Sequence, residues 1–150
     1  MPHSYTSQLI HCVFSTKERR PTITDALQHR LFPYFGGIAR ANGIILIAAG
    51  GVEDHVHLLI LLPKTMGISK AMQLIKGGSS KWIHDTFPEH RLFEWQEGYG
   101  AFSVSIGNKE QVIAYINNQR EHHAKRDFKS EFISFLDTHG IDYDERYVFD

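Results

Sequence analysis

His55 to Leu62 reads His-Val-His-Leu-Leu-Ile-Leu-Leu and stops at Pro63. A short apolar run with no helical period reads as a strand buried over most of its length, and proline ends it because it cannot donate to a sheet ladder. Such a strand needs partners, and its surroundings supply them. Ile44 to Ala49 is a second buried-type strand, and Gly50-Gly51-Val52-Glu53-Asp54 between the two reads as a turn, so the pair forms a hairpin. Tyr5 to Phe14 alternates loosely and is rich in β-formers, which predicts a further strand. Ala101 to Ile106 predicts another.

Helical segments separate these strands. Thr24 or Asp25 is placed to cap a helix running to about Ala41, which Asn42-Gly43 would end. A second helix fits Ile68 to Thr86, starting at Gly67 or Ser69 and closed by Pro88. Gly77-Gly78 inside it costs about 1 kcal/mol per glycine relative to alanine. That pair reads either as a helix break or as a place where a ligand approaches the backbone closely. Asn108 with Gln111 forms a candidate capping box for a helix through about His123. A short helix near Ser130 to Thr138 and an irregular acidic tail follow. The order strand, helix, strand, strand, helix, strand, helix is a split βαβ pattern. It predicts an α+β fold: a ferredoxin-like antiparallel sheet with helices on one face, plus a C-terminal helix. No repeat or low-complexity linker divides the 150 residues, which read as one domain.

The buried strand carries unusual polar groups. Side chains two apart on a strand point to the same face, so His55 and His57 project together, about 7 Å apart at Cα, and Val56 points into the core. Two imidazoles so placed can grip one divalent ion, or can be polar residues on a solvated strand face. Burial of the following residues brings the two readings level, because buried histidines need partners.

Tyr115 and Gln119 are four apart on a predicted helix and share a face, which His122 extends. The competing reading is an amphipathic helix with Tyr115 half-buried and Ile113 and Ile116 in the core. Chemistry gives the phenol a purpose. A tyrosine that attacks phosphorus stores the energy of a broken strand in a phosphodiester-like bond, so rejoining needs no ATP. Its ordinary pKa of about 10 calls for help from a divalent ion at the phosphate. His55, His57 and the Gln119 oxygen would supply three ligands, a set that suits Mg²⁺ tolerably and Mn²⁺ better.

Charge qualifies the choice of partner. Net charge is −1, but residues 127–150 hold seven acids and two bases, leaving a net of +4 on the rest. Lys17, Arg19 and Arg20 cluster after the first strand. Lys70, Lys76 and Lys81 recur on the second helix. Arg120, Lys125 and Arg126 follow Tyr115. Such residues give phosphate contacts without reading sequence, or simply a solvated surface. No apolar run approaches the ~20 residues of a membrane span. A single cysteine and an N-terminus without signal-peptide features predict a cytoplasmic protein, which any DNA contacts would hold at the nucleoid.

Several ordered motifs together resemble the HUH single-tyrosine transposases of bacterial insertion sequences and their REP-associated relatives. Asp54-His55-Val56-His57-Leu58-Leu59 supplies histidine, hydrophobic residue, histidine. Tyr115-Ile116-Asn117-Asn118-Gln119 with His122-His123 is similar to the nucleophile helix. The segment from Trp95 to Ser105 and the tail Gly140 to Tyr147 match as well. The resemblance implies that Tyr115 is the nucleophile and that His55, His57 and Gln119 hold a divalent metal, Mg²⁺ or Mn²⁺. It also implies single-stranded DNA hairpins as substrate, a 5′-phosphotyrosine intermediate and a homodimer. In that homodimer the Tyr115 helix would reach the partner's histidines through a hinge at Ile106-Gly107-Asn108, the alternative being that it folds back on its own sheet and forms the site in cis. Tyr99 is not the nucleophile in this pattern and reads as structural or DNA-contacting. Two alternatives stay open: a nickase of replication or plasmid transfer with the same chemistry, and a non-catalytic ferredoxin-like nucleic-acid-binding module.

Overall fold

A computed structural model describes residues 3–149, the side chains of His123 and Ala124 excepted; the expectation for His123 therefore lies outside the described residues. Four strands, β1 (Leu9–Ser15), β2 (Ile45–Gly51), β3 (His55–Leu61) and β4 (Gly100–Ser103), form one antiparallel sheet in the order β2-β3-β1-β4. This is the expected α+β, ferredoxin-like arrangement. β1 starts at Leu9 rather than Tyr5 because Leu9 is the first residue to find a partner, opposite Leu61.

The two-residue period of the strands sorts the sheet into two faces. Ile10, Cys12 and Phe14 of β1 and Val56, Leu58 and Ile60 of β3 belong to the larger core. There they meet α1 (Asp25–Ala41) and α2 (Ile68–Thr86). α1 begins where expected: the Thr24 side chain accepts from the Leu27 amide at 3.1 Å. Leu27, Leu31, Phe35 and Ala39 then form one buried stripe. Gly43, at φ +73°, takes the left-handed conformation that ends the helix. α2 runs unbroken through Gly77-Gly78. A Cβ at Gly78 would lie 3.0 Å from the Ile38 side chain, so Gly78 sits where α1 and α2 approach closely.

The opposite face carries Leu9, His11, Val13 and Ser15 with His55, His57 and Leu59. It is covered by α3 (Lys109–Asn117), α4 (Gln119–Lys125) and α5 (Phe128–Thr138). The single helix expected from Asn108 to about His123 is divided at Asn118, whose φ −107°, ψ 30° is not helical. The expected capping box is absent, since the Asn108 side chain makes no capping bond. Ile116 of α3 is fully buried among Leu9, Ala48 and Leu59. Gly50 permits this seating: a Cβ there would lie 2.0 Å from the Ile116 carbonyl oxygen. α5 docks through Phe128, Phe132 and Leu136 onto Val13 and Phe102, each such side chain contributing about 1.5–3 kcal/mol when fully buried. The acidic tail is less irregular than its composition suggests, for Tyr143, Val148 and Phe149 pack on the same cluster. No helix among the described residues is long and apolar enough to cross a membrane.

Candidate active site

β3 delivers His55 and His57 to the α3–α5 face, both buried. α4 begins with Gln119, whose Oε1 lies 3.2 Å from His55 Nε2, and its Nε2 donates to the Tyr115 carbonyl at 3.1 Å. Tyr115, on α3, has its ring centroid 5.7 Å from that of His57 and stacks on His122 at 4.4 Å. The fold thus brings together residues 55, 57, 115, 119 and 122. The contacts are within one chain, the arrangement that the sequence reading kept as the alternative to a Tyr115 helix crossing to a partner's sheet. The fully buried Ile116 seats α3 on its own β2.

Three further residues enter the site. Asp54 accepts from His55 Nδ1 at 2.8 Å. His11 of β1 meets His57 Nδ1 with its Nε2 at 2.8 Å. Glu131 of α5 places Oε1 3.0 Å from His57 Nε2 and 3.3 Å from His55 Nε2, and its Oε2 accepts from the Tyr115 hydroxyl. His11 and Glu131 went unnoticed in the sequence, although each left a trace. His11 is the imidazole in an otherwise apolar stretch of β1. Glu131 interrupts the apolar face made by Phe128, Phe132 and Phe135.

The electrostatics follow from burial and pairing. Burial alone would lower the His55 pKa, but its bonds to Asp54 and Glu131 outweigh that and raise it to about 9. Burial lowers His57 despite Glu131. Burial, reinforced by His57, pushes His11 down to about 3 and keeps it neutral. Burial would raise Glu131, yet the hydrogen bonds from His55 and His57 hold it far below the usual carboxylate range. Burial and then the Glu131 carboxylate raise the Tyr115 phenol. The protein alone therefore does not generate a phenolate at neutral pH.

Among the described residues, His55, His57 and Glu131 form a group able to hold a metal ion, with ligand atoms within 4.8 Å of one another. Imidazole nitrogens with carboxylate and amide oxygens fit Mn²⁺ or Mg²⁺. The outer nitrogen of each imidazole is held, by Asp54 and by His11, so that Nε2 faces inward, the usual support of a metal-bound histidine.

This architecture has relatives. Residues 4–119 match the family model described as "Transposase IS200 like". The chain belongs to the IS200-like transposase family. The matched span holds all four strands, α1 to α3 and Gln119, and stops before α5. Similar transposases include the ISDra2 transposase TnpA of Deinococcus radiodurans, 26% identical over 123 residues, covering 78% of this chain and 88% of that one. The transposase of insertion sequence IS200 from Salmonella typhimurium is 25% identical over 127 residues, covering 81% and 82%. A crystal structure of a candidate transposase of Deinococcus radiodurans superposes with a TM-score of 0.66 at 26% identity, covering 78% of this chain and 94% of that one. The structure of a REP-associated tyrosine transposase bound to a REP hairpin gives 0.57 at 14% identity, covering 76% and 67%, a likeness of fold.

The basic residues proposed for DNA are variously engaged. Lys76 donates to the carbonyls of Gln96, Glu97 and Gly98 at 2.7, 3.1 and 2.7 Å, so in this transposase its ammonium supports the loop before β4. Exposed ion pairs join Lys81 to Asp85 and Lys17 to Glu94, and Arg20 to Glu18. Arg120 pairs with Asp25. Arg19 lies 5.5 Å above the Phe149 ring. Glu18 and Arg19 both adopt φ 56°, a left-handed conformation costly for non-glycine residues. Lys17 and Arg19, with Lys129 and Arg146, line a cavity of about 750 Å³. Tyr99 sits under the Lys76 ammonium at 5.8 Å and faces a cavity along α2.

Proposed function

We propose that this transposase cleaves and rejoins single-stranded DNA at hairpin-bearing ends through a 5′-phosphotyrosine on Tyr115, as one domain spanning residues 1–150. The observation that carries the reading is the meeting of Tyr115 and Gln119 with the buried His55–His57 pair. His55, His57 and Gln119 hold a divalent ion, Mg²⁺ or Mn²⁺. When bound, it polarises the scissile phosphate and offsets charge in the transition state. Tyr115 Oη bonds to phosphorus while the bond from phosphorus to the 3′ oxygen breaks, leaving a 3′ hydroxyl and a protein-linked 5′ phosphate. Attack by a 3′ hydroxyl on that linkage restores the phosphodiester and frees Tyr115. Lys17, Arg19 and Arg20 provide phosphate contacts beside the site, and Lys81 and Arg120 add to them by exchanging their exposed acidic partners for DNA.

The family resemblance and the hairpin bound by the REP-associated neighbour support a hairpin substrate. The protein acts as a homodimer in the cytoplasm, at the nucleoid, with each Tyr115 serving the histidines of its own chain. The test is a labelled DNA hairpin incubated with Mn²⁺ and resolved in SDS. A covalent adduct is expected with the hairpin, lost in EDTA and in His57→Ala, and weaker binding is expected as salt rises. Equal cleavage of a perfect duplex, or full activity in EDTA, contradicts the reading. Sedimentation as a monomer with and without DNA removes the dimer.

A further inference from the structure

α5 lies beyond the residues that match the family model, yet it places a carboxylate in the centre of the candidate site. We infer that Glu131 is itself a metal ligand and the anchor of the nucleophile: Oε1 completes the His55–His57 site while Oε2 holds the Tyr115 hydroxyl beside it. This rests on the metal-and-tyrosine reading above and extends it.

The spacing supports the assignment. Neighbouring ligands of an octahedral ion at about 2.1 Å lie about 3 Å apart. Glu131 Oε1 is 3.0 Å from His57 Nε2 and 3.3 Å from His55 Nε2, and Gln119 Oε1 is 3.2 Å from His55 Nε2. Three of the contacts among the four groups are thus at ligand-to-ligand distances, and the ligand atoms of His55, His57 and Glu131 all lie within 4.8 Å of one another. The carboxylate is also held there. Glu131 is 5% exposed, and Phe128 and Phe132 on the same helix are buried. The Phe128 ring centroid is 4.9 Å from that of His55, and that of Phe135 is 5.0 Å from that of His11. Burying a charge on the apolar face of a helix is unfavourable without partners. The partners here are the two imidazoles and the phenol. A hard oxygen ligand with a full negative charge strengthens binding of Mn²⁺ or Mg²⁺ beyond what two imidazoles and an amide provide. The second oxygen keeps Tyr115 at the ion, where the phosphate must sit.

The experiment measures Mn²⁺ binding without DNA, from the electron paramagnetic resonance signal of free Mn²⁺. It uses the full chain and Glu131→Gln, Glu131→Asp, Glu131→Ala and His57→Ala, each checked for folding by its melting curve. Glu131→Gln is expected to weaken Mn²⁺ by about tenfold or more, with Glu131→Asp between it and wild type. At saturating Mn²⁺, Glu131→Ala should still form adduct more slowly than wild type, because Tyr115 has lost its anchor. Unchanged or tighter Mn²⁺ binding by Glu131→Gln, with His57→Ala weakened, overturns the role of Glu131 alone. Faster adduct formation by Glu131→Ala does the same, marking the carboxylate as an obstruction. Unchanged binding in His57→Ala as well overturns the metal reading itself.

Discussion

Gly50→Ala tests whether α3 works where it is seated. The added Cβ would lie 2.0 Å from the Ile116 carbonyl oxygen and 2.9 Å from its carbon. Both are backbone atoms, so no side-chain rotation relieves the clash. Reaching even 3.0 Å requires the helix to retreat from β2 by about 1 Å, taking Tyr115 with it. Overpacking of this kind costs about 1–3 kcal/mol. A misplacement of about 1 Å at a reacting group can cost about 100-fold in rate. The expected result is therefore a modestly lowered melting temperature and a large loss in single-turnover adduct formation. Gly77→Ala is the control. No atom beyond the backbone of its own helix turn and its chain neighbours lies within 4 Å of its added Cβ and the position is helical, so it should stabilise by about 0.5–1 kcal/mol and leave the rate unchanged. If Gly50→Ala forms adduct at the wild-type rate, α3 is not on its own sheet in the active protein, and the composite, partner-crossing site regains favour.

The other predictions concern groups around the site and in the core. Lys76→Met should lower stability by about 1.5–3 kcal/mol in chemical denaturation, through lost charge-assisted bonds to the 96–98 carbonyls; unchanged stability with weakened DNA binding would return Lys76 to the DNA surface. Burial pushes the Cys12 thiol up to about 12. In the unfolded chain the thiol ionises near 9 while the native one stays protonated, so the native state binds more protons and stability falls as pH rises above about 9. Below that, an alkylating reagent should modify Cys12 only on unfolding, and rapid native labelling would contradict its burial. His11→Phe should weaken Mn²⁺ by about 10–100-fold by leaving His57 Nδ1 without its partner; equal affinity would make His11 a packing residue.

The sheet and its two long helices were readable because their signals are local. Thr24 caps α1, Pro63 and Pro88 close their segments, and the run from His55 to Leu62, short and bounded by turn residues and a proline, has the length of a buried strand. The pairing of His55 with His57 follows from strand period alone, and that of Tyr115 with Gln119 nearly does. The interruption at Asn118 leaves Gln119 Nε2 still bonded to the Tyr115 carbonyl, one helical turn back. What escaped was long-range. Glu131 is 74 residues from His57 and His11 is 46 away, and no local pattern states that their faces converge. The covering of the second face by α5 was hidden for the same reason: its Phe128, Phe132 and Leu136 stripe shows an apolar side but not what it meets. Lys76 illustrates the converse, since a lysine on a helix looks like surface until the loop carbonyls that surround it are in place.

The proposed nucleophile is one oxygen atom, Oη of Tyr115. The protein is incubated with a labelled single-stranded hairpin and Mn²⁺, the covalent product is digested with protease and nuclease, and the modified peptide is sequenced by mass spectrometry. The expected product is a nucleotide linked through its 5′ phosphate to Tyr115, with no linked peptide from Tyr115→Phe although that variant still binds the hairpin. A nucleotide on Tyr99, or cleavage without any protein-linked product, contradicts it.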